Sequence, residues 1–180
     1  MSSGFGGSWI SYHAAAATPR KTALADLASG RQFSYAELDG RAGRAAGALR
    51  DSFRIGRGDR VAMLSRNSAL AFELMYACAR LGAIFVPLNI RLSYAELAQL
   101  ASDAEPAVVV GESELLGHQI APGVPTLSWE NGYETALANA AVAEPVALDP
   151  AAPWVIIYTS GTTGLPWPAV VAPALPGDKR

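Results

Sequence analysis

Apolar residues recur at three- and four-residue intervals through Tyr35, Leu38, Ala42, Ala45, Leu49 and Phe53, the spacing of one helix face. Ser34 stands just before this run and Glu37 three residues after Ser34, the reciprocal capping pattern that starts a helix. The same five residues, SYAEL, return at 93–97, so Ser93 and Glu96 predict a second start, with a helix to about Ser102. Five shared residues are too few for a duplicated domain, so the repeat is one local solution used twice. Between the two, Ser68 to Leu81 carries a stripe of Leu70, Leu74, Ala77 and Leu81 that Gly82 ends.

Short apolar runs alternate with these helices: RVAMLS at 60–65, AIFVPL at 83–88, AVVV at 107–110, TLSW at 126–129 and WVIIY at 154–158. A weaker helix is expected over 130–140, and Pro145, Pro150 and Pro153 mark 141–153 as a connector. Strands alternating with amphipathic helices predict an α/β fold, a mostly parallel sheet flanked by helices on both faces. The run 154–158 is apolar throughout, as an internal strand should be, and the hydroxyl-rich segment after it would leave the sheet at a carboxyl end. Open α/β sheets place ligands there.

Composition narrows the function classes. Of 180 residues 51% are hydrophobic and 17% charged, with net charge −2, a globular balance with no basic footprint for nucleic acid. The first twenty residues lack an early cationic stretch and a continuous apolar core, and the run 69–88 is broken by Glu73 and Arg80. Neither a signal peptide nor a transmembrane segment is expected, and the single cysteine, Cys78, suits a reducing compartment; the expected location is cytoplasmic. Cys78 reads as a small buried hydrophobe, and His13 and His118 as structural or solvated residues without metal-ligand spacing. Arg57-Gly58-Asp59 reads as a turn before a strand.

One stretch carries chemistry. In YTSGTTGLP, Thr159, Ser160, Thr162 and Thr163 present four hydroxyls, and Gly161 and Gly164 permit the conformations that turn several N–H groups toward one anion. The set suits a polyphosphate. It is not the Gly-Lys-Ser/Thr loop of P-loop enzymes, because no Gly-Lys pair occurs, and no Gly-x-Ser-x-Gly elbow is present for a hydrolase.

The segment VIIYTSGTTGLP resembles the phosphate-binding loop of adenylate-forming (AMP-binding) enzymes, and GRGDRVAMLSRNSALAFELMYACARLGAIFVPLNIRLSYAEL resembles the text that precedes it in that family. Within the family, VPLNIRLS is most similar to acyl-CoA synthetases acting on fatty or related acids. The resemblance implies an ATP-dependent acid–CoA ligase: carboxylate and ATP give an acyl-adenylate, and coenzyme A then takes the acyl group. It implies ATP, Mg2+ and coenzyme A as cofactors and a small carboxylic acid as substrate. Thr159, Ser160, Gly161, Thr162, Thr163 and Gly164 would hold the β- and γ-phosphates.

The pattern departs at Trp167 and Pro168, where the family has Lys-Gly. Residues 1–166 are therefore expected to form a partial, incomplete N-terminal adenylation domain, and 167–180 a divergent proline-rich tail, as a shifted reading frame would leave. In the remaining AVVAPALPGDKR, Pro173 and Pro176 predict no strand-and-helix continuation. No catalytic or metal-ligating residue is assigned. The chain alone is expected to be inactive, and its exposed sheet to self-associate. A non-catalytic relic or split-protein partner with a vestigial loop is the other reading.

Overall fold

The structure, a computed structural model, describes residues 11, 18–27, 29–147, 149, 151–159 and 167–171. A short antiparallel pair, β1 (Thr22–Ala25) and β2 (Gln32–Ser34), precedes helix α1 (Tyr35–Phe53). There follow β3 (Arg60–Leu64), α2 (Ala69–Leu81), β4 (Ile84–Pro87), α3 (Tyr94–Ala104) and β5 (Val108–Gly111). The remainder comprises α4 (Ser113–Leu116), β6 (Thr126–Ser128), α5 (Tyr133–Asn139), β7 (Val155–Thr159) and β8 (Trp167–Val171).

The six-stranded sheet has the order β6-β5-β3-β4-β7-β8. Every pairing in it is parallel except β7 with β8. Side-chain alternation along each strand builds two cores. Val61, Met63, Val108, Val110 and Phe85 pack on one face against Leu49, Leu74, Cys78 and Leu137 from α1, α2 and α5. Ala62, Leu64, Val86 and Val109 face the opposite way, against Leu97, Leu100, Ala101 and Ala104 of α3. The expected covered, parallel α/β sheet is what forms.

Both capping boxes are made. The Ser34 hydroxyl accepts from the Glu37 N–H at 3.3 Å while Glu37 Oε2 accepts from the Ser34 N–H at 2.8 Å. Ser93 and Glu96 repeat these contacts at 3.3 and 2.8 Å. Those hydrogen bonds hold both glutamates below the ordinary carboxylate range. The turn at 56–59 closes as expected, with Gly58 at φ +82° and the Gly56 N–H on Asp59 Oδ2 at 2.8 Å. Cys78 is fully buried, and burial pushes its thiol well above its ordinary value. His118 is exposed and stacks on Tyr94 with ring centroids 3.6 Å apart; His13 lies outside the described residues.

The strand half of one expectation is overturned, while its helix half falls on 172–180, outside the described residues. A strand does follow residue 166: β8 runs from Trp167 to Val171 and pairs with β7 in antiparallel register, Thr159 opposite Trp167 and Val155 opposite Val171. Proline is tolerated in β8 because, among the described residues, β8 is an edge strand, where a missing N–H need not break a ladder on both sides.

The α1–α2–α5 face holds a buried polar knot. Glu73 is 1% exposed; Arg41 donates from Nε to its Oε2 at 2.5 Å, and the Tyr133 hydroxyl donates to its Oε1 at 2.7 Å. Arg41 also forks onto Glu134, at 2.7 and 3.1 Å. Burial opposes the Arg41 charge, but hydrogen bonds and charges from Glu134 and Glu73 outweigh it and raise its pKa. Burial, then Glu73, raises Tyr133.

Candidate functional site

Parallel strands bring their carboxyl ends to one rim. Arg66 follows β3, Asn89 and Arg91 follow β4, Glu112 follows β5, Glu130 follows β6, and Thr159 closes β7. The chain runs from β3 to β4 on one side of the sheet and then crosses to β5 on the other, so strand order reverses between β3 and β5. Such a reversal opens a crevice that α/β proteins commonly give to a ligand. Here the protein fills it with its own ion pair. Glu112 binds the Arg66 guanidinium, accepts from the Arg66 N–H at 2.6 Å and accepts from Ser65 Oγ at 3.1 Å. Thr159 stands farther along the rim, at the end of β7.

Tyr158 and Thr159 bring the hydroxyl-rich segment to that rim. The Tyr158 hydroxyl donates to Asp103 Oδ2 of α3 at 2.5 Å, fastening the end of β7 to a helix. Burial first, and then the Asp103 carboxylate, raises the Tyr158 pKa, so the phenol stays protonated and serves as an anchor. Residue-by-residue reading missed this contact, since nothing in the LASDAEP stretch around Asp103 signals a partner 55 positions away. Of the sequence-assigned residues, Thr159 ends β7, while Ser160, Gly161, Thr162, Thr163 and Gly164 lie outside the described residues. Among the described residues no group of three or more His, Cys, Asp or Glu side chains is arranged to hold a metal ion.

A polar cluster stands at the other end of the rim. The Glu130 carboxylate accepts from the Ser113 N–H at 2.9 Å and from Ser128 Oγ at 2.8 Å. These bonds, the Ser113 N–H foremost, hold its pKa at about 2. A depressed carboxylate contributes stability above its unfolded pKa and loses it as pH falls through the folded value. Urea midpoints should therefore fall between about pH 4.5 and 2, and Glu130→Gln should flatten that slope. Parallel slopes for the two proteins would show that Glu130 is not coupled to folding.

The family model described as AMP-binding enzyme matches residues 11–172. The chain belongs to the AMP-binding enzyme family. It is 36% identical over 178 residues to the indoleacetate–CoA ligase of Aromatoleum aromaticum, covering 91% of this chain and 34% of that protein. Among solved structures it resembles the N-terminal domain of FACL13 from Mycobacterium tuberculosis, with TM-score 0.78, 29% identity and coverage of 91% of this chain and 43% of that one. It also resembles ATP-bound MatB from Rhodopseudomonas palustris, with TM-score 0.76, 34% identity and coverage of 87% and 32%. The chain thus spans about a third of the length of the curated acid–CoA ligases it matches. The adenylate-forming fold expected from sequence is confirmed, and the family match runs through β8.

Proposed function

We propose that this chain is the front part of an AMP-forming acid–thiol ligase and that residues 159–164 grip the leaving pyrophosphate. The carrying observation is the position of Thr159. It ends a strand at the carboxyl rim of a family-typical sheet, with the hydroxyl and glycine run directly after it. The donor set suits ATP, because hydroxyls and glycine N–H groups match the oxygens of a polyphosphate. The run contains no carboxylate to hold magnesium.

In the reaction a carboxylate oxygen attacks the α-phosphorus of ATP. The bond to the β-phosphate oxygen breaks, and pyrophosphate leaves with the electron pair. The thiol of coenzyme A then adds to the acyl carbon, its proton departs, and AMP leaves. The part of this chain would be to hold the β- and γ-phosphates in line and to stabilise the charge that collects on them. Relatives named as acid–CoA ligases, and the VPLNIRLS segment, support fatty or related carboxylic acids as the substrate class. The single cysteine supports a reducing, cytoplasmic setting.

With about a third of such a ligase present, the chain alone should bind pyrophosphate or ATP without turnover. Titration calorimetry with inorganic pyrophosphate tests the grip. Two charge-assisted hydrogen bonds at about 1.5 kcal/mol each predict roughly 100-fold weaker binding for the Thr162→Ala, Thr163→Ala double variant. Equal affinity in the two proteins would remove the loop from the reading. Pyrophosphate release from ATP and a fatty acid by the purified chain would instead show that it needs no further part.

A further inference from the structure

Strand β7 joins the body of the sheet at its first residue. β3 and β4 pair from Arg60–Ile84 to Met63–Pro87, and the Leu88 N–H carries their ladder on to the Met63 carbonyl at 2.9 Å. Between β4 and β7 the register stops at Phe85 and Val155, where the Phe85 N–H donates to the Trp154 carbonyl at 2.9 Å. The cause is in the sequence. Along a parallel ladder alternate residues bond to the same neighbour, so the next donor from β4 toward β7 would be residue 87. That residue is Pro87, which has no N–H to give. Past Val155 the register of β7 continues with β8, from Ile156–Val170 to Thr159–Trp167.

Side chains take over where the backbone ladder ends. Ile156 and Tyr158 pack against the core under α3, while Val155 joins the opposite core and Ile157 is 43% exposed. The Tyr158 hydroxyl then reaches α3 itself, donating to Asp103 Oδ2 at 2.5 Å. That end of α3 is firmly seated. Leu100, Ala101 and Ala104 are buried against the sheet, and Arg60 of β3 donates to the carbonyls of Ala104 and Glu105 at 2.8 and 2.7 Å. The Tyr158–Asp103 bond thus runs from the sheet's best-held part to the residue next to Thr159.

We propose that Tyr158 and Asp103 are positioning residues for the polyphosphate grip: their hydrogen bond stands in for the ladder that Pro87 ends and sets where Thr159 lies on the rim. The inference rests on the ligase reading above and adds to it a pair that acts through Thr159. Misplacing a working group by about 1 Å can cost roughly 100-fold. Because Asp103 is exposed and its bond is shared with water, the expected loss here is about tenfold.

Titration calorimetry of the full 180-residue chain with inorganic pyrophosphate at neutral pH tests the pair. Tyr158→Phe and Asp103→Ala should each bind about tenfold more weakly, and the double variant no more weakly than either alone. Asp103→Asn keeps an acceptor for the Tyr158 hydroxyl and should recover most of the loss, which a role of the charge alone would not allow. Hydrogen exchange adds a readout without ligand. In Tyr158→Phe the amides of 157–159 should exchange faster, while those of Val61 and Val109 at the sheet centre keep their rates. Unchanged affinities, additive losses, no recovery with Asp103→Asn, tighter binding by Asp103→Ala, or faster exchange across the whole sheet would each overturn the proposal. The two readings fail differently. An unaltered chain that binds no pyrophosphate removes the ligase reading and the positioning role together, whereas binding indifferent to the pair removes the role and leaves the grip.

Discussion

Replacing Arg41 with methionine should lower the unfolding free energy by about 3 kcal/mol. The loss comes from what is left behind. Glu73 is 1% exposed and receives Arg41 on both oxygens, at 2.5 and 3.2 Å, so the variant strands a carboxylate in the interior with the Tyr133 hydroxyl as its remaining donor. Removing one member of a buried pair typically costs 3–5 kcal/mol, and the lower end applies because the Arg41 side chain keeps 21% exposure. Glu73→Gln in the Arg41→Met background should recover part of the loss, since a neutral amide can still accept from Tyr133 and carries no charge to strand. Urea denaturation followed by circular dichroism at neutral pH reads both changes. A loss below about 1 kcal/mol for Arg41→Met would mean that water reaches Glu73 and that the knot does not tie α1, α2 and α5 together.

Two glycines of α1 should respond to the same substitution with opposite signs. In an exposed helix interior alanine is preferred over glycine by about 1 kcal/mol, and a Cβ at Gly40 would meet nothing within 4 Å, so Gly40→Ala should stabilise by about that amount. A Cβ at Gly47 would lie 1.9 Å from the Ala141 carbonyl oxygen. That backbone cannot retreat easily. The Ala143 N–H is bonded to the Gly43 carbonyl at 2.9 Å, and Arg80 Nε holds the Ala143 carbonyl at 3.1 Å. Gly47→Ala should therefore destabilise by about 3 kcal/mol, at the upper end of what overpacking costs. Thermal or urea midpoints of the pair decide it. A stabilising Gly47→Ala would show that the connector does not lie in the groove of α1.

The elements that could be read in advance are those whose cause is local. Ser34 with Glu37 and Ser93 with Glu96 carry their helix starts within four residues, and both boxes form. All five apolar runs became strands, and those at β3, β4 and β5 are buried between helices, a condition that hydrophobic spacing records directly. What escaped reading depends on distant partners. Strands β1 and β2 are four and three residues long, too short to show a period, and Phe33 finds its core against Leu38 and Ala69 of α1 and α2. The Arg41–Glu73–Tyr133 knot joins positions 32 and 60 residues apart through polar side chains that periodicity treats as surface. Strand β8 was misread because Pro173 and Pro176 outweighed AVV, yet antiparallel pairing with β7 needs no buried face. The candidate site divides the same way. Its hydroxyls and glycines are legible as a motif, while the Tyr158–Asp103 clamp that fixes where the motif leaves the sheet is a tertiary contact.

The burial of Cys78 gives the molecule an internal clock. It is the sole thiol, has no exposed surface and sits in α2 beneath the sheet face shared with α1 and α5, its ionisation suppressed by that burial. A thiol reagent can reach it only when α2 leaves the sheet, and each modified chain then records one such departure. The rate at which label accumulates therefore counts openings of this core, free of interference from any second sulfhydryl.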